Sequence, residues 1–318
     1  MTAPAADAPA ATGQRPSIAA PLASGPLLVL TAAVLWGTVG PARALAQDGL
    51  PAVVVGGWRQ LLGGIVLLVP LVARRARPGL LRLASRPAVL AAAAATGAYQ
   101  VLFLHAVTAV GASLATAVAL GVAPAATGIC SWLWQRDRPS GLWAASTAIC
   151  VTGTTLLLSR PTSGQQPNIS GLLAALGAGL CYGLYTVAAR TMATDGADVT
   201  AVAAVTLLLG ALPALPWMAT HAPAVLHPAP LLLVSWPGVI TCGAAYWCFM
   251  RGMTSTPASA AGTLSLAEPI AAVSLSVALL GEKLSGVQAS GCALVVVGLA
   301  ITAIRPAQQA AVPPRRRR

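Results

Sequence analysis

Apolar residues run through this chain in long blocks, and short polar breaks separate one block from the next. A helix needs about 20 apolar residues to cross the hydrocarbon core of a bilayer, and blocks of about that length recur along the whole sequence. Each must be helical, because lipid cannot satisfy a free backbone N–H or C=O group. We therefore predict an all-α polytopic membrane protein with ten transmembrane helices. The predicted spans cover residues 26–46, 51–72, 88–107, 111–134, 141–158, 170–189, 199–220, 230–250, 258–280 and 286–304.

The composition agrees with this pattern. Hydrophobic residues make up 57% of the 318 residues and charged residues 8%, and the mean hydropathy is +0.77. These values lie far from the balance of a soluble globular domain. The ten spans leave no room for a soluble catalytic domain.

Basic residues lie mainly on one side of the predicted topology. The net charge is +12, but the arginines cluster beside apolar spans, which disfavours nucleic-acid binding and is typical of cytoplasmic loops. With a cytoplasmic N-terminus, 15 of the 19 Lys and Arg residues fall inside, and only Arg43, Arg160 and Lys283 fall outside. This bias predicts a multi-pass protein of the cytoplasmic membrane with both termini in the cytoplasm.

The two halves of the sequence repeat at an offset of about 146 residues that drifts by one. The collinear matches include Trp36-Gly37 with Tyr182-Gly183, Ala42-Arg43 with Ala189-Arg190, Ala112-Ser113 with Ala258-Ser259, Pro124 with Pro269, Asp137 with Glu282, and Gly153 with Gly298. Because five spans is an odd number, the second copy must enter the membrane from the opposite side. The repeats are therefore inverted, an architecture that recurs in secondary transporters and also occurs in some channels.

The chain divides into four segments. Residues 1–25 form an Ala- and Pro-rich extension that we expect to be disordered and cytoplasmic, and residues 305–318 form a basic cytoplasmic tail suited to anionic lipid headgroups. Residues 26–160 and 169–304 are the two five-helix repeats. A signal peptide cleaved near Ala46 is the competing interpretation of the N-terminus.

Five short runs give the chain a resemblance to a known family. They are Leu35-Trp36-Gly37-Thr38, Trp58-Arg59, Ala112-Ser113-Leu114-Ala115, Glu268-Pro269 and Gly281-Glu282-Lys283-Leu284-Ser285. In this order they resemble the EamA-type transporters of the drug/metabolite transporter superfamily, over about residues 26 to 304. The resemblance implies ten helices, cytoplasmic termini and transport of small metabolites such as amino acids. The first half departs from the pattern, since Gln135-Arg136-Asp137-Arg138 stands where the second half has Gly281-Glu282-Lys283.

Two charged residues lie well inside the predicted spans, Arg59 and Glu268. A charge at the bilayer centre costs about 2.5 to 3.5 kcal/mol on insertion scales, so each needs a partner, a wet cavity or a changed protonation state. Glu268 falls at mid-span and Arg59 about one turn outward, so the two could be close together. Glu268 could carry a proton or bind a substrate ammonium, and Arg59 could bind a substrate carboxylate. The alternative is a structural ion pair that orients helices.

Further candidates come from polar and amphipathic groups inside the spans. The resemblance would place them around a central cavity, although packing or an interfacial position is the competing explanation for each: Trp36, Tyr99, Gln100, His105, Tyr182, Tyr185, Tyr246 and Trp247. Pro124 and Pro269 are hinge candidates, because proline frees a backbone carbonyl within a helix.

We expect no cofactor and no metal site, because the six cysteines lie in apolar runs without a CxxC pair and the three histidines lack ligand spacing. The first functional hypothesis is a secondary transporter, an exporter of small polar metabolites, with proton coupling through Glu268. Multidrug efflux of hydrophobic or cationic compounds is the alternative. An intramembrane enzyme or a channel is less favoured, since the spans lack a catalytic constellation or filter motif. Small residues in the spans allow close helix packing, inside the protein or in a homodimer.

Overall fold

The computed structural model of the chain describes residues 24–46, 50–73, 77–159, 168–225, 227–281 and 283–304. Every regular element within these ranges is helical. The predicted basic tail lies outside the described residues, as does the N-terminal extension apart from its last two residues.

The first half contains seven α-helices and one π-helical turn. They are α1 (Ser24–Gly37), α2 (Val39–Ala46), α3 (Ala52–Ala73), α4 (Arg77–Ala84), α5 (Pro87–Val110), α6 (Ala112–Cys130), a π-helical turn (Ser131–Gln135) and α7 (Gly141–Leu157). The short helix α4, in the basic connection after the second span, was not predicted.

The second half repeats this order with more interruptions. It contains α8 (Ile169–Thr194), α9 (Val199–Gly210), a 3-10 turn (Leu212–Ala214), α10 (Leu215–Thr220), α11 (Ala222–Val225), α12 (Pro228–Trp236), a π-helical segment (Pro237–Ala244), α13 (Ala245–Gly252), α14 (Ala258–Leu264), α15 (Ala267–Leu280) and α16 (Gly286–Ile304).

The prediction of ten membrane helices is confirmed. Within the described ranges, eight helical stretches are long and apolar enough to cross a membrane, and α7 is a shorter apolar helix. The tenth crossing is the helical run from α12 through α13. An even number of crossings puts Ser24 and Ile304 on the same side, which we call the terminal side. The opposite side is called the far side.

Helix packing follows the duplication. The packing of α1 on α13 recurs as that of α8 on α5, and the packing of α3 on α9 and of α7 on α16 joins equivalent helices. A Cβ atom placed on Gly37 would lie 2.7 Å from the Cβ of Ala271. A Cβ atom placed on Gly183 would lie 2.7 Å from the Cβ of Ala126. We call these two close helix–helix contacts the glycine crossings. They lie at equivalent positions of the two repeats, so the two halves are related by a pseudo-two-fold axis.

Prolines explain two helix breaks that depart from this symmetry. A proline ring clashes with the carbonyl of the residue four positions earlier. For Pro41 that residue is Gly37, where α1 ends, and for Pro269 it is Ser265, which lies in the break between α14 and α15. Val187 stands near the repeat position of Pro41, and α8 is continuous there.

The second hinge candidate behaves differently. Pro124 is buried inside α6, which continues from Ala112 to Cys130 without a break. The structure therefore places a helix break at Pro269 and none at Pro124.

The two sides of the membrane differ in packing. The largest hydrophobic core occupies the terminal half, with fully buried side chains that include Val29, Phe249, Met253 and Leu264. The far half instead encloses a cavity.

Candidate central cavity

A cavity of about 470 Å³ lies between the two repeats. Its lining begins near mid-span, at Trp36 and Glu268, and continues along the far ends of several helices. Gly40 in α2, Ser113 in α6 and Ser276 in α15 are lining residues near that end. The cavity therefore lies in the far half of the membrane, above the packed core of the terminal half.

Aromatic rings form the floor of the cavity. The ring centroids of Trp36 and Tyr246 are 5.5 Å apart, and those of Tyr185 and Tyr246 are 5.7 Å apart. Both Trp36 and Tyr185 also pack on the buried ring of Phe249. The Trp36 indole donates to the carbonyl of Thr241 over 2.9 Å, which fixes its orientation. The Tyr185 hydroxyl is buried and has no hydrogen-bond partner among the described residues.

A second aromatic group forms one wall. Tyr99 stacks on Phe103 at a centroid distance of 5.4 Å and contacts Tyr182 at 6.4 Å. The Tyr182 hydroxyl donates to Oγ of Ser265 over 2.5 Å. Because Ser265 lies in the break before α15, this bond ties α8 to the broken helix beside the cavity.

The two membrane-embedded charges face the same space. Glu268 lies in the first turn of α15, where the helix dipole favours a negative charge. Arg59 lines the cavity from α3, and its Nε atom is buried without a hydrogen-bond partner in the described part of the chain. The opposite charges attract each other across the cavity, but no salt bridge joins these two described side chains.

Most of the predicted site residues meet here. The cavity lining includes Arg59, Glu268, Trp36, Tyr99, Gln100, Tyr182, Tyr185, Tyr246 and Pro269. Three candidates lie elsewhere, including Pro124, which is buried inside α6. His105 is exposed, with Nε2 3.2 Å from Oγ of Ser170, and Trp247 is 39% exposed on the outer surface of its helix. Their helices are turned so that these positions point away from the cavity.

Several lining residues were not predicted. Phe103, Thr241, Cys242 and Ser276 contribute to the cavity wall. Phe103 lies one helical turn from Tyr99, so helical periodicity could have indicated it. The cysteine and the two hydroxyl residues resemble the many small residues that pack between helices, and the sequence carries no signal that separates them.

The geometry is that of a small-molecule site. Apolar and aromatic side chains dominate the lining, with a few polar groups and two opposite charges. Such pockets bury the apolar part of a ligand and orient it with the polar groups. The described residues contain no group of three His, Cys, Asp or Glu side chains that could hold a metal ion.

The family model described as EamA-like transporter family matches residues 23–159 and again residues 169–304. The chain belongs to the EamA-like transporter family. The double match covers both repeats, so each half is one EamA unit and the protein is a membrane transporter with two inverted five-helix repeats.

Two individual proteins are similar to this chain over most of its length. The chain is similar to a protein named "Uncharacterized transporter YwfM" from Bacillus subtilis (strain 168), with 35% identity over 285 residues that cover 89% of this chain and 95% of the relative. A solved structure titled "Crystal structure of protein" has a TM-score of 0.73 and 24% sequence identity, and the match covers 88% of this chain and 97% of that chain. The second likeness shows a shared fold alone.

Proposed function

We propose that this EamA-like transporter exports small amino-acid-like metabolites across the cytoplasmic membrane by alternating access. The observation that carries the proposal is that Arg59 and Glu268, which have opposite charges and no mutual salt bridge, line one cavity. Arg59 suits a substrate carboxylate, and Glu268 suits a substrate ammonium. The aromatic floor would contact the apolar part of the substrate.

The charge bias supports an orientation of the protein that is compatible with export. Basic residues on the terminal side favour a cytoplasmic location for that side. The cavity then faces the outside, and a substrate leaving the cell would be released from it. Glu268 is also the group that we propose for proton coupling, because it is the acidic residue at mid-span.

Multidrug efflux is a second candidate because the cavity is rich in aromatic rings. Six aromatic residues line it: Trp36, Tyr99, Phe103, Tyr182, Tyr185 and Tyr246. Such a surface accepts hydrophobic cations through cation–π contacts. Arg59 opposes this function, since its positive charge would repel a cationic drug in the same space.

Counterflow in proteoliposomes tests the proposal with three solutes of one carbon skeleton: an amino acid, the amine without the carboxylate, and the acid without the amine. We expect the unmodified protein to exchange the amino acid best. Arg59→Ala should reduce exchange of the amino acid at least tenfold and bring it close to that of the amine. Glu268→Gln should similarly remove the advantage over the acid. Trp247→Phe, outside the cavity, is the matched control and should exchange normally.

Three results would contradict parts of the proposal. If no solute exchanges under any gradient, the transport assignment fails. If cationic drugs exchange and amino acids do not, multidrug efflux replaces the proposal. Should Glu268→Gln transport normally with an unchanged pH dependence, the proton-carrier role is excluded.

A further inference from the structure

On the terminal side, Gln135 connects the first repeat to the second. Its Nε2 atom donates to the carbonyl of Val187 over 3.3 Å and to Oγ1 of Thr191 over 3.1 Å. Its Oε1 atom accepts from Oγ of Ser131 over 3.2 Å. Gln135 thus closes what we call the terminal seam, where the end of α6 and its π-helical turn pack on α8.

The backbone around Gln135 is unusual. The π-helical turn Ser131–Gln135 replaces the last turn of α6, and Arg136 ends it with a φ of 58°. In the described part of the chain, Arg136 is the only residue other than glycine with a positive φ. Short π-helical turns occur frequently at functional sites, and a left-handed residue other than glycine is conformationally costly. The repeat counterpart Gly281 caps α15 with a similar φ of 68°, so the π-helical turn is what distinguishes this end of α6 from the equivalent end of α15.

A second contact closes the same side. The Arg190 guanidinium donates through Nη1 to the carbonyl of Met253, which joins the end of α8 to the end of α13. Asp137 and Arg190 line one polar pocket at this surface, together with Gln135 and Thr191. Polar contacts beside water are replaced by water at little net cost, so this seam is suited to open and close.

The repeat gives the terminal seam a counterpart on the far side, which we call the far seam, between α15 and α2. Ser276 corresponds to Ser131 at an offset of 145 residues, and Leu280 corresponds to Gln135. Ser276 lines the cavity, as do Gly40 and Pro41 from α2. The side chain of leucine cannot donate a hydrogen bond, so Leu280 cannot make at the far seam the bond that Gln135 makes at the terminal seam.

We propose that Gln135 is a gating residue that holds the terminal side closed, and that the terminal seam separates when that side opens to substrate. This inference rests on the proposed alternating-access function. It adds a residue that lies outside the cavity and acts through α8, and it predicts a change in conformational equilibrium that can be measured without a substrate.

A pair of repeat-related serines provides the reporters. Ser259 is 7% exposed at the terminal end of α14, and its counterpart Ser113 lines the open cavity. In Ser259→Cys and Ser113→Cys proteins that keep all six native cysteines, the labelling rate at each new thiol is measured by peptide-resolved mass spectrometry with a membrane-impermeant maleimide. We expect Ser113→Cys to be labelled quickly from the far side and Ser259→Cys slowly from the terminal side.

Adding Gln135→Ala should raise the labelling rate of Ser259→Cys about fivefold, the shift expected for the loss of one net hydrogen bond. Thr191→Val removes the hydroxyl acceptor on α8 and should shift the rate in the same direction. Gln288→Ala is the matched control. Its amide donates to the carbonyl of Leu157 over 3.4 Å, at the α7–α16 contact away from both seams, and we expect no change in labelling.

The inference is overturned if Gln135→Ala and Thr191→Val, both folded by thermal unfolding in detergent, label Ser259→Cys at the parent rate. It is also overturned if Gln288→Ala gives the same increase, since the effect would then be general loosening. Labelling needs no substrate. A shift in labelling without exchange of any solute would support the gate while refuting the proposed transport function.

Discussion

The terminal seam and the far seam are built from equivalent parts of the two repeats, yet one is closed and the other lines a cavity. They share the glycine crossing near mid-span, at Gly183 in the first case and Gly37 in the second. Beyond that crossing they diverge. Gln135 binds α8 at the terminal seam, whereas Ser276 and Gly40 line open space at the far seam.

This difference indicates where movement can occur. Glycine contacts between backbones allow close packing and leave no slack, so the two crossings are suited to act as fixed points. The helix ends beyond them differ in side-chain chemistry and in backbone continuity. Closing the far seam and opening the terminal seam would exchange the two arrangements while both crossings stay in place.

The largest effect is expected from joining the terminal seam covalently. In a Gln135→Cys/Thr191→Cys protein, a short bifunctional maleimide should abolish transport, with at least a tenfold loss, because that side could no longer open. The measurement is counterflow of whichever solute the parent exchanges, before and after cross-linking.

The far seam supplies the control for this experiment. A Gly40→Cys/Ser276→Cys protein treated in the same way should remain mostly unlinked, because both residues line the open cavity. Efficient linking of this pair, with no linking at the terminal seam, would reverse the assignment of open and closed sides.

The sequence predicts the ten crossings well because lipid imposes one strong constraint, a continuous apolar helix of fixed length. It also singles out Arg59 and Glu268 as residues that could lie close together, since both are charges that hydrocarbon does not tolerate. It does not show which face of an apolar helix turns inward, because lipid-facing and buried positions are similarly hydrophobic. For this reason the sequence could not show that His105 and Trp247 lie outside the cavity.

The sequence also does not indicate on which side of the membrane the cavity opens. Each repeat contains the elements of a seam, and a duplicated sequence is compatible with either side being closed. The proline pattern is partly informative. Pro41 and Pro269 coincide with helix breaks, whereas Pro124 stands in a continuous helix, so a proline alone does not predict whether the helix kinks or breaks.

The second-largest effect is expected from changing which of the two seams contains a helix-breaking proline. Val187→Pro would place a proline within α8 near the repeat position of Pro41, and we expect it to lower the free energy of unfolding by about 3 kcal/mol or more. Pro41→Val should cost far less, because it introduces no clash with a helical carbonyl. Thermal unfolding in detergent measures both variants. An equal loss of stability in the two variants would contradict this expectation.

The smallest effect is expected at a hydroxyl pair that only the terminal side possesses. Oγ1 of Thr147 and Oγ1 of Thr263 are 2.8 Å apart and join α7 to α14, and both residues are buried. Their repeat counterparts are Cys292 and Ala117, which cannot form such a pair.

Thr147→Val should lower the free energy of unfolding by about 1 to 3 kcal/mol, because it leaves a buried hydroxyl on Thr263 with a weaker partner. The double variant Thr147→Val/Thr263→Val should lose less than the sum of the two single variants, since it leaves neither hydroxyl unpaired. Additive losses would mean that the two hydroxyls do not depend on each other.

The labelling rate of Ser259→Cys in the same variants then shows whether this pair helps to hold the terminal side closed. A twofold rise or less, compared with the fivefold rise expected for Gln135→Ala, would leave Gln135 as the main polar contact of the closed side.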